Sequence, residues 1–178
     1  MDIFHEILKK YWGYDSFRPL QEDIINSVAQ GNDTLALMPT GGGKSITFQV
    51  PALSVPGVCL VVTPLISLMK DQVDNLSERG ITSAVTINGL LAPITRADAV
   101  QRVADGTASM LYISPEMLRS RTIEHLLSTR HIVRFVIDEA HCFSAWGQDF
   151  RVDYLYIGTF IRWLDAAGRE VPGLRTFG

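Results

Sequence analysis

Cysteine is scarce in this 178-residue chain, with only Cys59 and Cys142. Neither has metal-ligand spacing, so no metal knuckle and no disulfide framework is indicated; a reduced, cytosolic setting is expected. Long apolar runs are missing too: charged or polar residues interrupt every hydrophobic stretch before it reaches membrane-spanning length. The start, Met1-Asp2-Ile3-Phe4-His5-Glu6, lacks the basic-then-apolar order of a secretory signal. Nor is there an excess of positive charge. Sixteen Lys and Arg against nineteen Asp and Glu leave a net charge of −3, so any nucleic-acid contact must rest on a local patch and not on bulk charge. No repeat, low-complexity tract or interdomain linker is visible. What remains is a chain of 47% hydrophobic residues, long enough for one self-sufficient core.

The chain is organised around Met38-Pro39-Thr40-Gly41-Gly42-Gly43-Lys44-Ser45. An apolar, strand-like run, Thr34–Leu37, precedes it, and a helix-compatible run from Ile46 to Val50 follows. Strand, glycine loop, then Gly-Lys-Ser opening a helix is the context of a phosphate-binding loop. Glycines let backbone N–H groups turn inward and approach phosphate oxygens with no Cβ in the way. In such a loop Thr40, Gly41, Gly42 and Gly43 line the phosphates, Lys44 reaches the β- and γ-phosphates, and Ser45 holds Mg²⁺. The usual first glycine of this pattern is absent; Met38 stands there. The competing reading is a flexible glycine turn followed by a chance Lys-Ser, and the flanking context argues against it.

Elsewhere the periodicity alternates. Residues 2–12 place Ile3, Phe4, Ile7, Leu8 and Tyr11 on one helical face, and Gly13 ends the pattern. Pro19 suits the first turn of a second helix closed by Gly31. Tyr14, Phe17 and Gln21, between and within these helices, read by themselves as two core aromatics and a solvated amide. Val58–Val62 is a β-branched-rich run of the kind found in strands buried on both faces. Helix is expected over 66–79, 93–105, 117–128 and 154–166, and strand over 84–87, 110–113 and 132–137. This alternation predicts an α/β domain: a parallel sheet in three layers with right-handed crossovers.

Asp138-Glu139-Ala140-His141 stands at the C-terminal end of the last strand, where open α/β sheets bind ligands. Paired with the glycine loop, an apolar strand ending in Asp-Glu predicts a nucleotide hydrolase. Asp138 would hold Mg²⁺ opposite Ser45, and Glu139 would orient and deprotonate the attacking water. A joint acid–base role for the two carboxylates is not expected, since adjacent positions on a strand point apart. His141 lacks a metal-ligand partner and reads as a hydrogen-bond link between the nucleotide site and its surroundings.

These stretches resemble a known family. Asp138–His141 is a DEAH box, and the chain is similar to RecQ-type, superfamily 2 DNA helicases. The resemblance rests on Phe17-Arg18-Pro19 with Gln21, on Met38–Ser45, on Thr63-Pro64-Leu65-Ile66-Ser67-Leu68-Met69-Lys70-Asp71-Gln72-Val73, and on Asp138–Cys142 running into Trp146-Gly147 and Asp149-Phe150-Arg151. It covers roughly residues 10 to 155. It implies a RecA-like ATP-binding lobe over 1–178, with residues 1–30 as a helical adenine-recognition segment. ATP and Mg²⁺ are the implied cofactors, and single-stranded and duplex DNA the implied partners, inside the cell and at the nucleoid in a bacterium. Tyr14 would stack on adenine with Arg18 beside it, and Gln21 would read the adenine edge. The segment 142–154, with Ser144, Trp146, Phe150 and Arg151, would sense single-stranded DNA, and His141 and Gln148 would relay that state to the ATP site. The stretch 63–70, with Thr63, Pro64 and Ser67, and the stretch 114–116 match segments that face the DNA backbone.

Gln148 stands where the family usually has His, Val152 where it has Pro, and Leu20 where it has Gly. The family continues into a Ser/Thr-Ala-Thr strand and a second lobe that carries an arginine finger. The resemblance thus implies a first motor lobe, with the second lobe absent from this chain. Two other readings stay open: a nucleotide- or DNA-binding module without turnover, and an RNA helicase lobe.

Overall fold

The computed structural model describes residues 2–39, 41–139, 160, 162 and 175–177. Five parallel strands form one sheet in the order β2-β3-β1-β4-β5. They are β1 (Val58–Val62), β2 (Ala84–Ile87), β3 (Met110–Ile113), β4 (Ile132–Ile137) and β5 (Arg175–Phe177). The helices are α1 (Ile3–Trp12), α2 (Pro19–Ala29), α3 (Ile46–Ala52), α4 (Ile66–Glu78), α5 (Pro93–Asp105) and α6 (Arg121–Ser128). All five residues of β1, the central strand, are buried, as its run of branched apolar side chains requires for a strand covered on both faces.

Alternation along each strand separates two apolar layers. Cys59, Val61, Met110, Tyr112 and Val136 meet α2, α3 and α4 on the front face, with Ile24, Phe48, Met69 and Leu76 opposite them. Val58, Leu60, Val62, Leu111, Phe135 and Ile137 point to the back, against Ala99 and Val103 of α5, Ile123 and Leu127 of α6, and Phe160. Helix α1 lies over α2 and α3 through Ile7, Leu8, Phe17, Ile25 and Val50. Burial pushes the Cys59 thiol up to about 12, so it is an inert apolar filler.

The predicted three-layer parallel architecture is present, with three local differences. Thr34–Leu37 makes only an isolated bridge at Leu35. Ala36 is buried in the front core while Leu35 and Leu37 are 66% and 80% exposed, so the chain is extended there without a ladder. The helix expected over 117–128 is two elements. A 3₁₀ turn, Pro115–Arg119, is followed by α6, and Ser120 between them is extended at φ −67° and ψ 129°. Arg175–Phe177 adds a strand beside β4 that periodicity did not suggest. The helix expected over 154–166 falls mostly outside the described residues, where Phe160 and Arg162 are helical.

Candidate nucleotide site

The first residue after each of β1 to β4 is polar and buried: Thr63, Asn88, Ser114 and Asp138 are each at most 4% exposed. They form the C-terminal rim of the sheet. Ladder bonds run one step into it, with Asp138 N–H donating to Val62 O at 2.9 Å and Thr63 N–H to Ile113 O at 3.1 Å. Backbone pairing therefore fixes the height at which the Asp138 carboxylate emerges.

The glycine loop comes to this rim from the front. Gly41 and Gly43 take φ of 79° and 75°, which side-chain-bearing residues rarely adopt. A Cβ on Gly43 would also lie 2.2 Å from Gln21 Nε2. Two residues of the α2 start hold the loop's carbonyls. Arg18 Nη1 donates to Gly41 O at 2.9 Å, and Gln21 Nε2 donates to Gly43 O at 2.9 Å. Gln21 Oε1 in turn accepts from Arg18 N–H at 3.0 Å. With these carbonyls tied back, the loop is fixed from behind.

Lys44 places its ammonium 2.9 Å from Asp138 Oδ1 and 3.0 Å from Glu139 Oε1. Burial acts most strongly on its pKa and pulls it down, but the Asp138 and Glu139 carboxylates together outweigh that and leave it raised. Lys44 is a fixed cation at any physiological pH. That both carboxylates reach one ammonium corrects the alternation argument. Strand β4 ends at Ile137, so Asp138 and Glu139 lie beyond the pleat. Glu139 turns back at φ 58°, and its N–H donates to Asp138 Oδ1 at 3.0 Å. It is the one non-glycine residue with positive φ among the described residues, at the place where a catalytic carboxylate is expected.

A cleft of about 580 Å³ opens from Lys44, Asp138 and Glu139 along α4, past Gln72 and Asn75, to Trp12 and Arg79. Arg79 closes its far end with the guanidinium 5.6 Å above the Trp12 ring. Hard oxygen donors at the near end, the Asp138 carboxylate and the Ser45 hydroxyl, suit Mg²⁺, which is bound through one or two carboxylates and keeps several waters. Gln72 Oε1, buried beside Asp138 with no hydrogen-bond partner among the described residues, is an acceptor that such a water would satisfy. The residues present therefore fit the metal.

Several sequence-predicted residues sit differently from expectation. Of Tyr14, Phe17 and Gln21, only Phe17 is a core aromatic; Tyr14 is 54% exposed, and the Gln21 amide is buried at 4%. Thr63 was expected to face DNA, but it is 1% exposed, and its hydroxyl takes the Leu65 N–H in the turn into α4. Its side chain shapes the backbone, whereas Pro64 is half-buried and Ser67 is exposed. Ser114 is likewise buried, and Glu116 is exposed. Thr40, His141, Ser144, Trp146, Gln148, Phe150 and Arg151 lie outside the described residues. Sequence reasoning missed Gln72, although it belongs to the stretch 63–73; a polar residue four positions from Leu68 and Leu76 on a half-buried helix was the available signal.

Comparison with known proteins agrees with this geometry. The model of the DEAD/DEAH box helicase family matches residues 18–171. The chain is 42% identical over 158 residues to the ATP-dependent DNA helicase RecQ of Pasteurella multocida (strain Pm70), which covers 89% of this chain and 24% of that protein. It is 38% identical over 169 residues to the ATP-dependent DNA helicase RecQ of Synechocystis sp., covering 94% of this chain and 35% of that protein. It thus spans about a quarter to a third of these curated relatives. In fold it is similar to a hypothetical ATP-dependent RNA helicase from Sulfolobus tokodaii, with a TM-score of 0.72 at 20% identity over 100% of this chain and 50% of that one. It is also similar to the Mycobacterium smegmatis helicase Lhr, solved with single-stranded DNA and AMP-PNP, with a TM-score of 0.70 at 18% identity over 100% of this chain and 24% of that one. With its glycine loop and its Asp-Glu pair meeting at the rim of a parallel sheet, this chain belongs to the DEAD/DEAH box helicase family.

Proposed function

We propose that this chain is the ATP-binding motor lobe of a RecQ-like DNA helicase, which couples ATP hydrolysis to translocation along DNA and unwinding of the duplex. One observation carries the reading: a single ammonium, Lys44, stands within 3.0 Å of both carboxylates of the DEAH box, on a loop tied back by Arg18 and Gln21. The identity to RecQ relatives, spread over most of the chain, supports the DNA-directed form.

In this mechanism the loop's N–H groups and Lys44 hold the β- and γ-phosphates, and Ser45 and Asp138 hold Mg²⁺. When bound, the metal neutralises charge on the phosphate oxygens. Glu139 orients the attacking water and takes its proton. Arg18 and Gln21 border the loop on its α2 side, where with the exposed Tyr14 they would hold the adenine. Gln21 Nε2 is taken up by the Gly42 and Gly43 carbonyls, while its Oε1, which accepts from Arg18 N–H, has capacity for one bond more. The segment 142–154, with Ser144, Trp146, Phe150 and Arg151, would contact single-stranded DNA, relayed through His141 and Gln148; Pro64 and Ser67 would meet the backbone. A second lobe would supply the arginine that stabilises charge on the γ-phosphate, a contribution of about 10³–10⁵ in rate.

The test is ATP binding by calorimetry, followed by steady-state turnover with and without single-stranded DNA. ATP with Mg²⁺ should bind, and Lys44→Ala should weaken it by about ten- to a hundredfold, since a charge-assisted hydrogen bond contributes about 1.5–3 kcal/mol. The chain alone should turn over slowly. Joined to the second lobe of a RecQ relative it should become DNA-stimulated, with stimulation abolished by Glu139→Gln. Absence of ATP binding in the folded chain would overturn the reading.

A further inference from the structure

Gln72 lies on α4, with its amide reaching into the cleft beside Asp138. The two oxygens of Asp138 have different surroundings. Oδ1 takes the Lys44 ammonium at 2.9 Å and the Glu139 N–H at 3.0 Å. Oδ2 has one partner among the described residues, Gln72 Nε2, at a long 3.5 Å. The other end of the same amide, Oε1, is buried and has no partner among the described residues. A buried carbonyl oxygen left without a donor is unfavourable. Arranged this way, the amide gives its donor end to the carboxylate and keeps an unused acceptor at the other end.

From this we infer that Gln72 is a positioning residue for the metal: its Nε2 sets the rotation of the Asp138 carboxylate, and its Oε1 accepts a hydrogen bond from a water of hydrated Mg²⁺. The inference rests on the nucleotide-site reading above. It follows from the chemistry of the ion. Mg²⁺ retains most of its water shell, so a site with few protein ligands gains affinity from groups that accept the hydrogens of those waters. Lysine cannot serve, having no acceptor, and Glu139 is drawn toward Lys44. Among the described residues beside Asp138, the Gln72 carbonyl is the buried acceptor left over.

The test uses the 178-residue chain and a non-hydrolysable ATP analogue, with binding measured by calorimetry as MgCl₂ is raised from an EDTA baseline. Gln72→Leu removes both polar atoms at similar size, and Gln72→Asn keeps the amide but withdraws it by one methylene. Thermal melting confirms that each variant is folded, and Gln72→Asn decides the matter if the leucine variant does not fold. Partners that orient metal ligands typically alter metal affinity by about 10–100-fold. Each variant should therefore raise the Mg²⁺ midpoint by about tenfold or more while leaving the weaker binding in EDTA unchanged. A midpoint within about twofold of the parent's, or an equal loss of binding in EDTA, would overturn the inference, the latter by showing a merely structural role. Failure of the nucleotide-site reading looks different: the parent chain itself would gain no affinity from Mg²⁺, or Lys44→Ala would bind as the parent does.

Discussion

Both faces of the sheet are covered by buried apolar side chains, yet they differ in chemistry. The back layer packs α5, α6 and Phe160 against Val58, Leu60, Leu111 and Phe135, with the buried Nε atoms of Arg96 on α5 and Arg130 after α6 at its margin. The front layer buries Gln21, Thr47 and Gln49 on α2 and α3, and pairs Gln49 with the Tyr112 hydroxyl at 2.9 Å. A layer packed mainly from apolar side chains is held chiefly by burial. A layer with buried amides must place every donor and acceptor, so it is more demanding to build and more definite in geometry. In this lobe the definite layer carries the glycine loop, and the undemanding one closes the sheet.

That difference is sharpened most by Phe135→Ala. Phe135 is 1% exposed, packed in the back layer with its ring 6.2 Å from Phe160. Its truncation should cost about 3–5 kcal/mol of stability. Chemical denaturation measures the loss, and nucleotide affinity of the folded fraction should not change. A selective loss of affinity at unaltered stability would break the division between the layers.

On the front, Gln21→Leu should have a smaller effect on stability and a larger one on binding. It removes the bonds to Gly43 O and from Arg18 N–H, each contributing about 0.5–1.5 kcal/mol net. The loop then loses one of its two ties, and ATP affinity should fall by more than the change in melting temperature alone would suggest. Calorimetry and thermal melting on the same sample compare the two. An unaltered affinity would mean that Arg18 holds the loop by itself.

The smallest effect is expected for Lys70→Ala. Lys70 and Asp74 make the same kind of contact as Lys44 and Asp138, at 3.3 Å, but on the surface of α4, with side chains 76% and 57% exposed. Such an i,i+4 pair contributes about 0.3–0.5 kcal/mol. Denaturation and ATP titration should both stay within error of the parent chain. A clear loss of ATP affinity would mean that the α4 surface acts on the site from outside the cleft.

What the sequence determined by itself was local and periodic. Gly41 to Ser45 specified a tight glycine loop because glycine is needed where φ is positive. The branched runs at 58–62, 110–113 and 132–137 became strands, and the 3.6-residue pattern of 93–105 became α5 within the same bounds. Alternation of these elements was enough for a parallel α/β sheet. The tertiary structure decided what depended on partners distant in the chain. Thr34–Leu37 had the composition of a strand, but a ladder needs a neighbour, and only Leu35 makes a bridge. Gln21 had the character of a surface amide until the glycine loop, about twenty residues on, covered it and supplied carbonyls for its N–H groups to meet. Asp138 and Glu139 were expected to diverge by strand geometry. They converge because the strand ends one residue too soon for the pleat to govern them, and Lys44, just ahead of α3, offers a positive charge that both can reach. Backbone preference is written into short stretches of sequence, whereas the pairing of buried polar groups depends on which stretches the fold brings together.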